Sequence, residues 1–257
     1  MNYCDSHAHL TSPEILPNVQ ILLKLARLAG VDHIINICTD PSTLKEGLLL
    51  ANQEKGIWNA GATTPHDVEK EGEEAFPIFE QAAMAKQLIA IGETGLDYHY
   101  QHSDRKVQQK FLVRYLHLAA EQNLPVIFHC REAFDDLFKI VDLEYPKGKP
   151  AILHCFTGTM KEAEGVWERG WHLSISGIAT FKKSGDLREV AKATPLQQLL
   201  IETDTPFLAP QSKRGVQNQP AFIIETAQCI ANERKISLSE LAQATRENAI
   251  RVFNLSN

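Results

Sequence analysis

Eight short apolar runs, each bounded by turn-forming residues, recur along the chain and are separated by longer stretches with helical spacing. They fall at residues 2–6, 33–38, 57–62, 88–92, 125–128, 151–153, 172–176 and 199–201. Strands that alternate with helices bury both sheet faces, so the pattern predicts an α/β fold built on a parallel sheet. Eight such units in 257 residues fit a (β/α)8 TIM barrel. A doubly wound open sheet shares most of the pattern, so the count alone leaves both architectures open. From Ser103 onward Val107, Phe111, Tyr115 and Leu118 recur at helical spacing and lay one apolar stripe along a helix. Near the end, Ser237 and Glu240 form a capping-box pattern ahead of Leu241, Ala242 and Ile250, which predicts a terminal helix.

A hydrophobic content of 44% at this length suffices for one large core, and no linker, low-complexity run or internal repeat divides the chain. Residues 1–257 are therefore expected to form one domain and to act as a monomer. The formal net charge of -6 argues against a broad basic surface for nucleic acid, so any phosphate recognition has to be local. Five cysteines without a CxxC pair suit a reducing compartment. There is neither a basic-then-apolar leader nor an apolar run near the roughly 18 residues of a membrane span, so a cytoplasmic protein that does not enter a membrane is expected.

Polar residues at the strand exits favour the barrel, because barrel enzymes gather their chemistry at the C-terminal ends of several strands. The first strand runs into Asp5-Ser6-His7-Ala8-His9, the fourth into Glu93, the fifth into His129, the sixth into His154 and the eighth into Glu202 and Asp204. In extended backbone His7 and His9 point the same way while Ala8 turns aside. A catalytic metal commonly takes three protein ligands, so four imidazoles with two or three carboxylates imply two divalent cations. The expected arrangement has His7, His9 and Asp204 on one ion and His129 and His154 on the other, with Glu93 bridging and Asp204 positioning the attacking water. His33, His117 and His172 read as structural, His66, His99 and His102 lie in loops without a required role, and Cys130 and Cys155 read as core-filling.

At these residues the chain resembles the TatD family of metal-dependent deoxyribonucleases, within the wider group of TIM-barrel metal-dependent hydrolases. The blocks that carry the likeness are DSHAHL, IGETGLDY, PVIFHCREA, LHCFTGT, LLIETDTPFLAP and RGVQNQP, from Asp5 to Pro220, with NAIRVF near the end. The resemblance implies 3′-to-5′ exonuclease action on DNA, with His7, His9, Glu93, His129, His154 and Asp204 on the family's metal positions. It also sets Arg131, Arg214 and Asn218 in motifs near the substrate. Thr64 stands where many relatives carry histidine, and Val216 and Gln217 stand where charged residues are frequent. Those departures bear on how a strand is gripped and leave the six ligand positions untouched.

The chemistry expected of such a site is phosphodiester hydrolysis by a two-metal mechanism, with Asp204 and Glu93 as catalytic carboxylates and Zn, Mn, Co or Mg as the ions. Arg131 and Arg214, with Lys182 or Lys183 unless that pair is simply a solvated face, would supply local positive charge for flanking phosphates. One alternative is a dinuclear hydrolase of a small amide, lactone or phosphoester; the fourth strand offers Glu93 rather than the lysine such enzymes often carboxylate. Another is a catalytically silent barrel used as a binding module, against which stands a complete ligand set.

Overall fold

The computed structural model describes residues 1–255. Strands and helices alternate as β1 (Tyr3–Ala8), α1 (Val19–Leu28), β2 (Val31–Cys38), α2 (Pro41–Gln53), β3 (Ile57–Gly61), α3 (Val68–Met84), β4 (Ala90–Asp97), α4 (Arg105–Gln122), β5 (Val126–Arg131), α5 (Phe134–Glu144), β6 (Ala151–Leu153), α6 (Met160–Glu168), β7 (His172–Ile175), α7 (Gly185–Ala193) and β8 (Leu199–Ile201), followed by α8 (Ile223–Arg234) and α9 (Leu238–Val252). The strands form one eight-stranded sheet in sequence order. Every neighbouring pair is parallel. A bridge between Ala8 and Thr205 brings the chain after β8 back to β1, which makes a nearly closed (β/α)8 barrel.

Side-chain alternation divides the core into an inner and an outer layer. Cys4, Ile35, Ile37, Ala60, Ala90, Ile127, Ile152 and Leu200 pack together with Val252, Phe253 and Leu255. Their strand neighbours Ile34, Cys38, Ile91, Phe128, Leu153 and Ile201 pack instead with the helices. The end of α9 thus plugs the barrel where the strands begin, and each large apolar side chain buried there contributes about 1.5–3 kcal/mol. Asn248 strengthens the plug by donating its amide to the carbonyls of Leu196 and Leu199. With the strand starts sealed, the opposite rim is left for chemistry.

The sequence placed the strands correctly and set some of their ends too early. β1 runs to Ala8, β4 to Asp97 and β5 to Arg131, so His7, Glu93 and His129 sit inside strands. The β4–β5 ladder continues through Gly95–His129 and Asp97–Arg131, beyond the expected exits. Helix starts follow local capping: Asp104 caps α4, accepting N–H groups of Lys106 and Val107, and Ser237 caps α9 by accepting the Glu240 N–H.

Candidate metal centre

Ile127 and His129, Ile152 and His154, and Leu200 and Glu202 are pairs two residues apart. Each polar side chain therefore continues the inward face that its apolar partner begins. Glu93 arrives from β4, whose register against β5 shifts between Ile91 and Thr94. Glycines permit that approach: Gly92 and Gly95 take φ of 152° and 146°. A Cβ on Gly95 would stand 1.9 Å from the His129 carbonyl oxygen, and one on Gly92 would stand 2.6 Å from Ile127. No other residue lets the two strands lie so close.

The seam between β1 and the β8 exit positions the rest. The Asp204 N–H donates to the His7 carbonyl at 2.9 Å, and the His9 N–H donates to the Thr205 carbonyl at 2.8 Å. Barrel closure therefore sets Asp204 beside two imidazoles. Asp204 has φ of 59°, a left-handed conformation that aspartate tolerates better than most residues.

Two sets of donor atoms converge on Glu93. On one side His7 Nε2 lies 3.3 Å from His9 Nε2, 3.4 Å from Glu93 Oε2 and 3.7 Å from Asp204 Oδ1. His9 Nε2 lies 3.8 Å from Glu93 Oε2 and 3.5 Å from Asp204 Oδ1. On the other side Glu93 Oε1 is 2.8 Å from His129 Nδ1 and 2.9 Å from His154 Nε2, and those two nitrogens are 3.4 Å apart. Donors bonded at about 2.0–2.1 Å in a tetrahedral shell are about 3.3 Å from one another, so the first set has the spacing of a cation's ligands. Each oxygen of Glu93 faces one histidine pair, and the residues fit divalent metal on both sides of it.

A second layer of carboxylates holds the imidazoles. Asp97 Oδ2 receives the His129 Nε2–H at 2.9 Å, which turns Nδ1 toward Glu93. Glu202 Oε1 lies 3.4 Å from His154 Nδ1 and accepts the Cys155 N–H at 2.6 Å. Asp5 accepts the Thr203 N–H at 2.9 Å and its hydroxyl at 2.6 Å, bracing the approach to Asp204. Burial pushes the Glu93 carboxyl up, but His154, His129 and His7 more than offset this and hold it well below the usual range. Burial pushes His154 down, and the charges of Glu93 and Glu202 with their hydrogen bonds carry it well above the ordinary imidazole value. His7 is lowered by burial and by the neighbouring His154, against which it stacks at 3.8 Å. Burial raises Asp97, yet hydrogen bonds from His129 and Tyr100 bring it to about 2.

A sequence profile described as TatD related DNase matches residues 4–254. The chain belongs to the TatD family. A Bacillus subtilis (strain 168) relative called uncharacterized metal-dependent hydrolase YabD is 32% identical over 252 residues, covering 98% of this chain and 99% of that protein. The 3'-5' ssDNA/RNA exonuclease TatD of Erwinia tasmaniensis is 35% identical over 257 residues, with 98% and 99% covered. The crystal structure of YJJV, a TatD homologue from Escherichia coli K12, superposes with a TM-score of 0.93 at 28% identity, covering 99% of this chain and 98% of that one. A relative described as a metal-dependent hydrolase thus shares the length of this chain, and a TatD homologue shares its fold.

The six residues expected to ligate metal, His7, His9, Glu93, His129, His154 and Asp204, meet at one place. The flanking residues divide. Arg131 lies half-buried with its guanidinium 4.7 Å from the Tyr100 ring centre, and Arg214 is exposed over the Phe181 ring at 5.0 Å. Asn218, expected beside the substrate, is 1% exposed and donates its amide to the Thr203 and Phe207 carbonyls. Those bonds make it a brace beneath the loop that carries Asp204. Thr64, at the position of departure, is buried and donates to Asp67. Sequence reasoning passed over Asp97, which stands in the quoted IGETGLDY block four residues after Glu93 and therefore beyond the expected end of the strand. It named Glu202 at the right exit without giving it the His154 side of the centre. Among the described residues no helix is long and apolar enough to cross a membrane.

Proposed function

We propose that this chain is a deoxyribonuclease that cleaves DNA phosphodiester bonds in the 3′-to-5′ direction with two divalent cations, Zn, Mn, Co or Mg, in the centre. The observation that carries the proposal is Glu93, whose two carboxylate oxygens each face a separate histidine pair. His7, His9, Asp204 and Glu93 would hold one ion, and His129, His154 and Glu93 the other. Bound divalent cations at such a site supply activated water near neutral pH and neutralise charge on the attacking and leaving oxygens. Asp204, with Oδ1 beside His7 and His9 and its side chain 10% exposed, accepts the proton of the attacking water. Glu93 stays ionised, and Asp97 and Glu202 keep the second histidine pair aimed. Arg131 and Arg214 offer the local positive charge that the overall balance of -6 does not.

The names of relatives support nucleic acid as substrate: the Erwinia tasmaniensis protein is called a 3'-5' ssDNA/RNA exonuclease. The test is metal analysis of protein purified without chelator, followed by assays on end-labelled single-stranded DNA, duplex DNA and RNA across the four metals, beside small phosphoesters and amides. Shortening from the 3′ end is expected only with metal present. Glu93→Ala is expected to lose bound metal and to reduce cleavage to background while its circular dichroism matches the parent. Full activity in that variant refutes the shared-carboxylate centre, and turnover confined to the small amides or esters refutes the nuclease.

A further inference from the structure

We propose that Phe207 and Tyr100 are rests on which unpaired bases stack, one on each side of the bond that is cut; this rests on the nucleic-acid reading above. Phe207 is 56% exposed and Tyr100 52%, unusual for large aromatic rings in a chain that buries most of its own. Both border the centre, from opposite ends. The Phe207 ring meets His9 edge-on at 5.8 Å, on the His7–His9–Asp204 side. Tyr100 meets His66 at 5.8 Å, and His66 meets His129 at 5.2 Å, on the Glu93–His129–His154 side.

Both residues have anchored backbones. The Phe207 N–H donates to the Asp204 carbonyl at 2.8 Å, and Asn218 clamps the Phe207 carbonyl at 2.6 Å from beneath. The Tyr100 N–H donates to Asp97 Oδ1 at 2.8 Å, while the other oxygen of that carboxylate holds His129. The backbone of each residue is thus tied to a group that faces the centre, Phe207 to Asp204 and Tyr100, through Asp97, to His129. The Arg131 guanidinium lies 4.7 Å and the His102 imidazole 5.4 Å from the Tyr100 ring centre, so further planar groups border that rest. Planar groups held at fixed spacing suit bases that are free of a duplex, because any base offers a π-face to an aromatic ring. Stacking ignores the sugar, so these rests would take DNA and RNA alike and would discriminate against paired strands.

The experiment measures kcat and KM of the metal-loaded protein on single-stranded oligonucleotides that carry natural bases or one abasic residue at successive positions around the cut. Loss of one base–aromatic stack is expected to lower kcat/KM by about 5- to 150-fold, chiefly through KM. Phe207→Ala and Tyr100→Ala should each lose that factor on natural strands and lose no more when the abasic residue lies at the matching position. Phe207→Trp should recover most of it. Fluorescence anisotropy with chelator-treated protein should show the same ratios in half-saturation, independent of turnover. Parental efficiency in both alanine variants, or equal abasic penalties in parent and variants, overturns the inference and leaves the nuclease standing. A parent that cuts no oligonucleotide overturns both.

Discussion

Asp97 is the residue that sets the orientation of His129 in the second histidine pair. Its Oδ1 accepts the N–H groups of His99 and Tyr100, and its Oδ2 accepts the His129 Nε2–H. With the Nε2–H held by Asp97, Nδ1 is the nitrogen left to offer its lone pair to a cation beside Glu93. Asp97→Asn keeps the size and the loop bonds but turns an amide donor toward Nε2. The imidazole proton then moves to Nδ1, which removes the donor atom from the centre. The expected result is a loss of about 10- to 100-fold in affinity for a cation on the His129–His154 side, without change for one held by His7, His9 and Asp204, measured by titration against a chromophoric chelator. Unchanged affinities would show that His129 is not a ligand. The difference between Asp97 and Asn218 also explains what the sequence disclosed at this scale. Imidazoles at strand exits were legible because alternation fixes which way they face. A polar residue in a turn gives the same signature whether it meets a substrate or, like Asn218, spends both amide hydrogens on the backbone beneath it.

At the scale of elements, strand order was legible from apolar spacing, while strand length was not. The ladder of β4 on β5 runs on to Asp97–Arg131 because two glycines admit close packing, and that packing is a property of the neighbouring strand. The terminal helix was announced by its capping pattern, but its partner was invisible to local reasoning. Arg246 on α9 grips Asp32 at the start of β2 with two bonds of 3.0 and 2.9 Å. Asp32 also receives the Asn2 amide at 2.8 Å and lies 2.8 Å from His33 Nδ1, so one carboxylate ties together the starts of two strands and the plug. Burial alone would raise its pKa, but the Arg246 bonds and the charges of His33 and Arg246 lower it. A carboxyl depressed in the folded state stabilises above its unfolded value of about 4, and that contribution vanishes as pH falls through the folded value. Asp32→Asn should therefore cost about 1–3 kcal/mol at pH 7 in urea melts. The same deficit is expected at pH 5, and it should shrink below about pH 4. A deficit independent of pH would assign the effect to packing rather than to the ion pair.

For the whole molecule, closure of the barrel and completion of the centre are one event. β1 pairs with β2 along a register from Tyr3–Val31 to Ala8–Asn36, but it meets the β8 side through the bridge at Ala8–Thr205. Side chains reinforce this thin seam: Ser6 donates to the Ile201 carbonyl at 3.0 Å, and Asp5 takes both donors of Thr203. His7 and His9 stand on one side of it and Asp204 on the other, so a cation held by all three spans the seam. Opening the seam pulls those donors apart, and a cation that binds only the closed form stabilises it by RT ln(1 + [L]/Kd), about 2.7 kcal/mol at a hundredfold excess over Kd. Hydrogen exchange should show this locally. Removing metal with a chelator is expected to speed exchange at the His9, Thr203 and Asp204 amides by up to about 100-fold while the β2–β3 ladder keeps its protection. In Asp204→Asn, whose amide still reaches the His7 carbonyl, the metal effect at those sites should be much reduced. Equal protection of seam and ladder amides by metal would mean that the barrel opens as a unit, and the cation would then be a ligand of the whole fold rather than a clasp on its seam.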